Sequence, residues 1–134
     1  GIIKMNKLLK DATVQELNFE LMKRGSFNGF DGEKIVKSLQ EHTDLWIGAI
    51  MVQESVDGQD LISLRDLNSR LDYDIWNIGT LYISIKQGKE KELKSLAESD
   101  EWNADEIDYI EKDKLGSMLG TGRLPFQVLR VWWD

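Results

Sequence analysis

Apolar residues recur along this chain with two different periods, one suited to helices and one to strands. Val14, Leu17, Leu21 and Met22 fall on one helical face. Thr13 and Glu16 precede them with the spacing of a capping box, in which hydroxyl and carboxylate serve each other's unpaired backbone amides. Lys23 and Arg24 suit the negative end of that helix, and Gly25 suits the residue just past it. A second helix is predicted after Asp31, with Ile35, Val36 and Leu39 as its stripe and an end near His42. Residues 45–52 are apolar on both faces, the pattern of a strand covered on both sides. Ser63 and Asp66 then resemble a cap, and Leu64, Leu67 and Leu71 predict a helix over about 62–71.

The remainder alternates. Residues 79–86 predict a strand in which Leu81, Ile83 and Ile85 alternate with Tyr82 and Ser84. Residues 89–99 are amphipathic, with Leu93, Leu96 and Ala97 inward. Residues 106–110 predict a third strand and 112–119 a short helix closed by Gly120. Residues 126–133 predict a fourth strand, rich in β-forming side chains. From about residue 45 the order is therefore β-α-β-α-β-α-β. That order implies an α/β fold: a three-layer-like, four-stranded, largely parallel or mixed sheet preceded by two N-terminal helices. Residues 1–134 form one domain in this reading, with the helical N-terminal segment, residues 1–44, packed on the sheet.

Composition narrows the chemistry. The chain lacks cysteine, which removes disulfides, thiolate nucleophiles and thiolate metal sites, and fits a reducing, cytoplasmic setting. The longest apolar run is eight residues, against the roughly 20 of a membrane helix, so no membrane span or signal peptide is expected. Net charge is −7, and lysines and arginines are scattered among acids. A nucleic-acid ligand is therefore not expected, whereas a basic protein partner would fit.

Each motif has a structural explanation. Glycines 25, 29 and 32 precede a helix, but their spacing matches neither phosphate-binding fingerprint, and the loop follows a helix instead of a strand. Its Phe27 and Phe30 either pack inward or form a partner-binding patch. Gly120, Gly122 and Arg123 suit a helix-to-strand connection. Residues 55–66 echo a calcium loop, with Ser55 and Asp60 at positions that call for aspartate and glycine. His42 stands alone, without companions for a metal cluster or a partner for base catalysis. The acidic residues Asp100, Glu101, Asp105, Glu106, Asp108, Glu111 and Asp113 would bind magnesium only if several converged. Trp132 and Trp133 are adjacent in a strand and so should point to opposite faces.

Neither a catalytic motif nor a family resemblance emerges, and no metal or cofactor is expected. The favoured reading is a non-catalytic binding or regulatory domain acting on a protein partner. Phe27, Phe30, Trp132 and Trp133 are its candidate interaction residues. The alternative is a small carboxylate-based enzyme or ligand-binding protein, with or without a divalent cation, whose site lies at the C-terminal ends of parallel strands. Glu54, Asp57, Lys86 and Glu111 are its candidates. A fourth strand running to the chain end would be a sheet edge, which raises the expectation of a homodimer.

Overall fold

The computed structural model describes residues 8–54, 61–76, 78–120 and 126–134. After a 3-10 turn at Leu9–Asp11, helix α1 spans Val14–Met22. It opens with the capping box: Thr13 Oγ1 accepts from the Glu16 amide at 3.1 Å, and Glu16 Oε1 accepts from the Thr13 amide at 3.0 Å. A short hairpin, β1 (Ser26–Phe27) and β2 (Phe30–Asp31), turns through Asn28 at a φ of 49°. Helix α2, Gly32–Glu41, follows with Asp31 as its side-chain cap. The backbones of α1 and α2 nearly touch here. A Cβ on Gly32 would lie 1.7 Å from the Met22 carbonyl oxygen, so only glycine fits. The glycine-rich loop is thus a helix-to-helix junction whose Phe30 is buried.

The main sheet contains β3 (Trp46–Val52), β4 (Thr80–Ile85), β5 (Glu106–Tyr109) and β6 (Gln127–Trp132), in spatial order β3-β4-β6-β5. Each neighbouring pair is antiparallel. The expected parallel three-layer fold is therefore wrong; the molecule is a mixed α/β arrangement with two antiparallel sheets. The cause lies in the connections. A parallel neighbour needs a long crossover connection, usually a helix. Among the described residues between β3 and β4 there is only a 3-10 turn, Arg65–Asn68, in place of the helix expected over 62–71. Leu64, Leu67 and Leu71 have helical spacing but are exposed, and spacing without a surface to bury against does not hold a helix. Helix α3, Glu90–Ala97, does link two strands of the same direction, β4 and β5. However, β6 is inserted between them. Helix α4, Lys112–Leu119, joins antiparallel neighbours, so it bridges one end of the sheet and need not cross to the other.

The two faces of the sheet are unequal. Phe19 and Met22 of α1, Ile35, Val36 and Leu39 of α2, and Leu93 and Ala97 of α3 pack on Ala49, Met51, Leu81, Ile83, Ile85, Leu129 and Val131. Three tryptophans stitch this core, each with its indole N–H satisfied. Trp46 Nε1 donates to the Leu39 carbonyl at 2.7 Å, Trp102 Nε1 to Ser38 Oγ at 3.0 Å, and Trp133 Nε1 to the Trp102 carbonyl at 2.7 Å. The opposite face carries α4 at one end, where Leu115 packs with Ile110 and Val128 against Tyr82 and Phe126. The strand expected to be covered on both sides is thus covered on one: Ile50 and Val52 are 45% and 38% exposed.

The edges also differ from expectation. β6 is an interior strand, so the edge that suggested a homodimer does not exist. The sheet's edges are β3 and β5, and β3 is occupied by a side chain. Gln15 Nε2 donates to the Ala49 carbonyl at 2.7 Å, and Gln15 Oε1 accepts from the Ala49 amide at 2.8 Å. One amide side chain thereby takes the place of a neighbouring strand. No described helix is long and apolar enough to cross a membrane.

Candidate functional site

The open face is organised by strand register. Ile50, Tyr82, Arg130 and Asp108 stand in one cross-strand row, and Val52, Thr80, Trp132 and Glu106 in the next. Arg130 lies between Leu129 and Val131, both buried in the core below, so alternation points it to the open side. Long neighbours cover it there, and only 15% of its side chain is exposed. A guanidinium this enclosed needs partners.

Three carboxylates provide them. Glu54, just past the end of β3, folds back over the sheet and engages Arg130 side-on, Nε to Oε1 at 2.7 Å and Nη2 to Oε2 at 3.3 Å. Arg130 Nη1 donates to Glu106 Oε1 at 3.1 Å and to Asp108 Oδ1 at 3.2 Å. Tyr82 donates its hydroxyl to Glu54 Oε1 at 3.0 Å. These contacts set the titration of the cluster. The Arg130 hydrogen bond is the main reason that the Glu54 carboxyl is held below its usual range, against an opposing effect of burial. Burial first, then the Glu54 charge, pushes the Tyr82 phenol up to about 12. Arg130 is held more firmly protonated, chiefly by its bond to Glu54.

Two depressions flank the Glu54–Arg130 bridge. One, of about 450 Å³, is bordered by Phe27, Gln53, Thr80 and Trp132. The other, of about 1020 Å³, runs between Ile50 and Val52 on one side and Lys114, Met118 and Leu119 of α4 on the other. Glu54, Glu106, Asp108 and Glu111 contribute four carboxylates to this larger groove, against the two cations Lys114 and Arg130, so the lining is acidic. Among the described residues that line the groove there is no serine, threonine, cysteine or histidine. The point on which three carboxylates converge is filled by the chain's own guanidinium, which leaves no place for a divalent ion while Arg130 is there. Among the described residues, no group of histidine, cysteine and acidic side chains is arranged to hold a metal.

The residues singled out from sequence are scattered by the antiparallel order. Glu54 belongs to the cluster. Lys86 follows β4 and Glu111 follows β5, at the opposite end of the sheet from the end of β3; Glu54 and Glu111 nevertheless line the same groove, and Lys86 does not. Asp57 lies outside the described residues, as do Gly122 and Arg123. Trp132 and Trp133 do point to opposite faces. Trp133 is buried and meets Phe30 edge-on at 4.8 Å, while Phe27 stacks on Phe30 at 5.3 Å. Phe30 and Trp133 are thus core residues with no surface to offer, and Phe27 and Trp132 border the smaller depression. His42 caps α2, its Nδ1 donating to the Ser38 carbonyl at 2.8 Å.

Sequence reasoning missed Arg130 and Tyr82. One signal was present: an arginine flanked by apolar residues in a strand demands acids, and Glu106 and Asp108 alternate along another strand. No family model matches the chain, nor does any curated protein or solved structure.

Proposed function

We propose that this chain is a non-catalytic binding domain that engages a protein partner through the open face of its sheet. The observation that carries this reading is a set of exposed apolar side chains on the β3 side of that face and on α4. Ile50 and Val52 are exposed there, opposite the exposed Met118 and Leu119 of α4, around a rigid, fully ion-paired Arg130 cluster. Apolar side chains rimmed by charge are the usual composition of a protein contact. The ion pairs hold the floor of the groove in one shape before any partner arrives. Phe27 and Trp132 extend the same surface past the Glu54–Arg130 bridge.

The test is capture from the native host by wild-type protein and by Ile50→Lys, whose circular dichroism must match wild type. A protein held stoichiometrically by the wild type and lost with the variant is the expected result. An identical set of captured proteins with both would refute the reading.

A further inference from the structure

We infer that the occupant of the open face is a basic amphipathic helix of the partner, laid beside α4 with its cationic flank over β5. The inference rests on the protein-binding reading above and adds the chemistry of the partner.

Geometry supports a helix. The face already binds one, since Leu115 of α4 is seated on the Ile110 and Val128 end of the sheet. Same-face residues along a strand are about 7 Å apart. The Ile50–Tyr82–Arg130–Asp108 and Val52–Thr80–Trp132–Glu106 rows therefore lie about 7 and 14 Å beyond the row under α4. Packed helices stand about 8–10 Å apart. A second helix at that distance from α4 lies along the Ile50–Tyr82–Arg130–Asp108 row, between α4 and the row of the buried Thr80. Three inter-strand steps of about 4.8 Å make the face roughly 14 Å wide, enough for about three turns of helix to cross it.

Polarity selects the kind of helix. On the β3 side the groove offers Ile50 and Val52, with Met118 and Leu119 facing them. On the β5 side it offers Glu106, Asp108 and Glu111, all exposed. Glu106 and Asp108 each give one oxygen to the same Arg130 nitrogen. A carboxylate has further lone pairs, so each keeps acceptor capacity for an incoming lysine or arginine. A second copy of this chain is a poor occupant. Two-fold contact would set this acidic surface against itself in a protein of net charge −7. Strand addition is obstructed at β3 by Gln15.

Synthetic peptides of about five helical turns provide the probe: a leucine–lysine sequence with helical periodicity, a scrambled version of the same composition, and a leucine–glutamate counterpart. Binding is followed by calorimetry and amide chemical shifts at about physiological salt. The periodic basic peptide should bind one to one with shifts on β3, β5 and α4. The scrambled and acidic peptides should bind at least tenfold more weakly. Ile50→Lys, and separately the pair Glu106→Gln and Asp108→Asn, should each weaken binding at least fivefold while leaving circular dichroism unchanged. Equal binding of the scrambled peptide, indifference to both variants, or no binding would overturn the inference. So would self-association that Ile50→Lys abolishes, because the occupant would then be a second copy. If a native partner is captured in an Ile50-dependent way and no basic peptide binds, the protein-binding reading stands and the basic helix falls.

Discussion

The two faces of the sheet are made by the same strands and obey opposite rules. Beneath, Leu81, Ile83, Leu129 and Val131 are sealed by three helices and the tryptophan network. Above, their immediate neighbours Tyr82 and Arg130 are held by charge and hydrogen bonds, and Ile50 and Val52 have no described cover. Burial organises one side and ion pairing the other. The first supplies stability, because apolar burial scales with area and tolerates no gaps. The second adds little net stability but fixes one arrangement of long side chains.

The sharpest way to break this contrast is to make the same deletion on both faces. Ile83→Ala, at a fully buried position, should cost about 3 kcal/mol in urea unfolding. Ile50→Ala, diagonal to it on the adjoining strand, should stay within about 0.5 kcal/mol. Equal losses would mean that the open face is covered in solution.

Arg130→Met should have the next largest effect, about 2 kcal/mol at pH 7, because it leaves three carboxylates facing one another. The penalty should shrink in acid, because protonation relieves repulsion between carboxylates. A loss independent of pH would point to packing of the arginine stem instead.

The Glu54 pair sharpens the acid side. Its carboxyl titrates lower in the folded chain than in the unfolded one. Its contribution is therefore complete above the unfolded value and disappears as pH falls through the folded one. Glu54→Gln should flatten the stability profile across that window. Tyr82 acts at the other end. Its phenol is raised from 10.0 to about 12, so it favours the folded state below pH 10 and that share is lost as pH rises towards 12. Absorbance titration should show an ionisation near pH 12 that Tyr82→Phe removes, beside a Tyr109 phenol that burial also raises.

The smallest expected effect concerns the β3 edge. Gln15→Ala should cost about 1 kcal/mol, since it leaves the Ala49 amide and carbonyl without their side-chain partner. It should also raise concentration-dependent association, measured by light scattering. A variant that stays as monodisperse as wild type would show that the edge needs no guard.

Local structure was legible wherever one residue's chemistry decides it. The Thr13–Glu16 box, the Asp31 cap, the Gly120 stop and all four main strands appear close to where spacing put them. Pairing was not legible, because β-α alternation leaves open which strands lie side by side. The missing crossover helix at 62–71 decided it, and its leucines carry the same spacing whether or not a surface awaits them. The site was half legible. Glu54 was found for the wrong reason, as a strand end in a parallel sheet. Arg130, Asp108 and Tyr82 become one site only through a register that no local pattern specifies.

The position of β6 also bears on how the protein is made. Its residues are the last of the sheet to be synthesised, yet they lie between β4 and β5, and Trp133 just beyond them closes onto Trp102 and Phe30. A ribosome-bound chain that ends before residue 127 has no strand to join β5 to the rest. The helices can form early, but the sheet must wait for β6 to emerge. Until β6 appears, Leu81, Ile83 and Ile85 are without the β6 residues that seal them, so a nascent chain at that stage is exposed to aggregation and proteolysis.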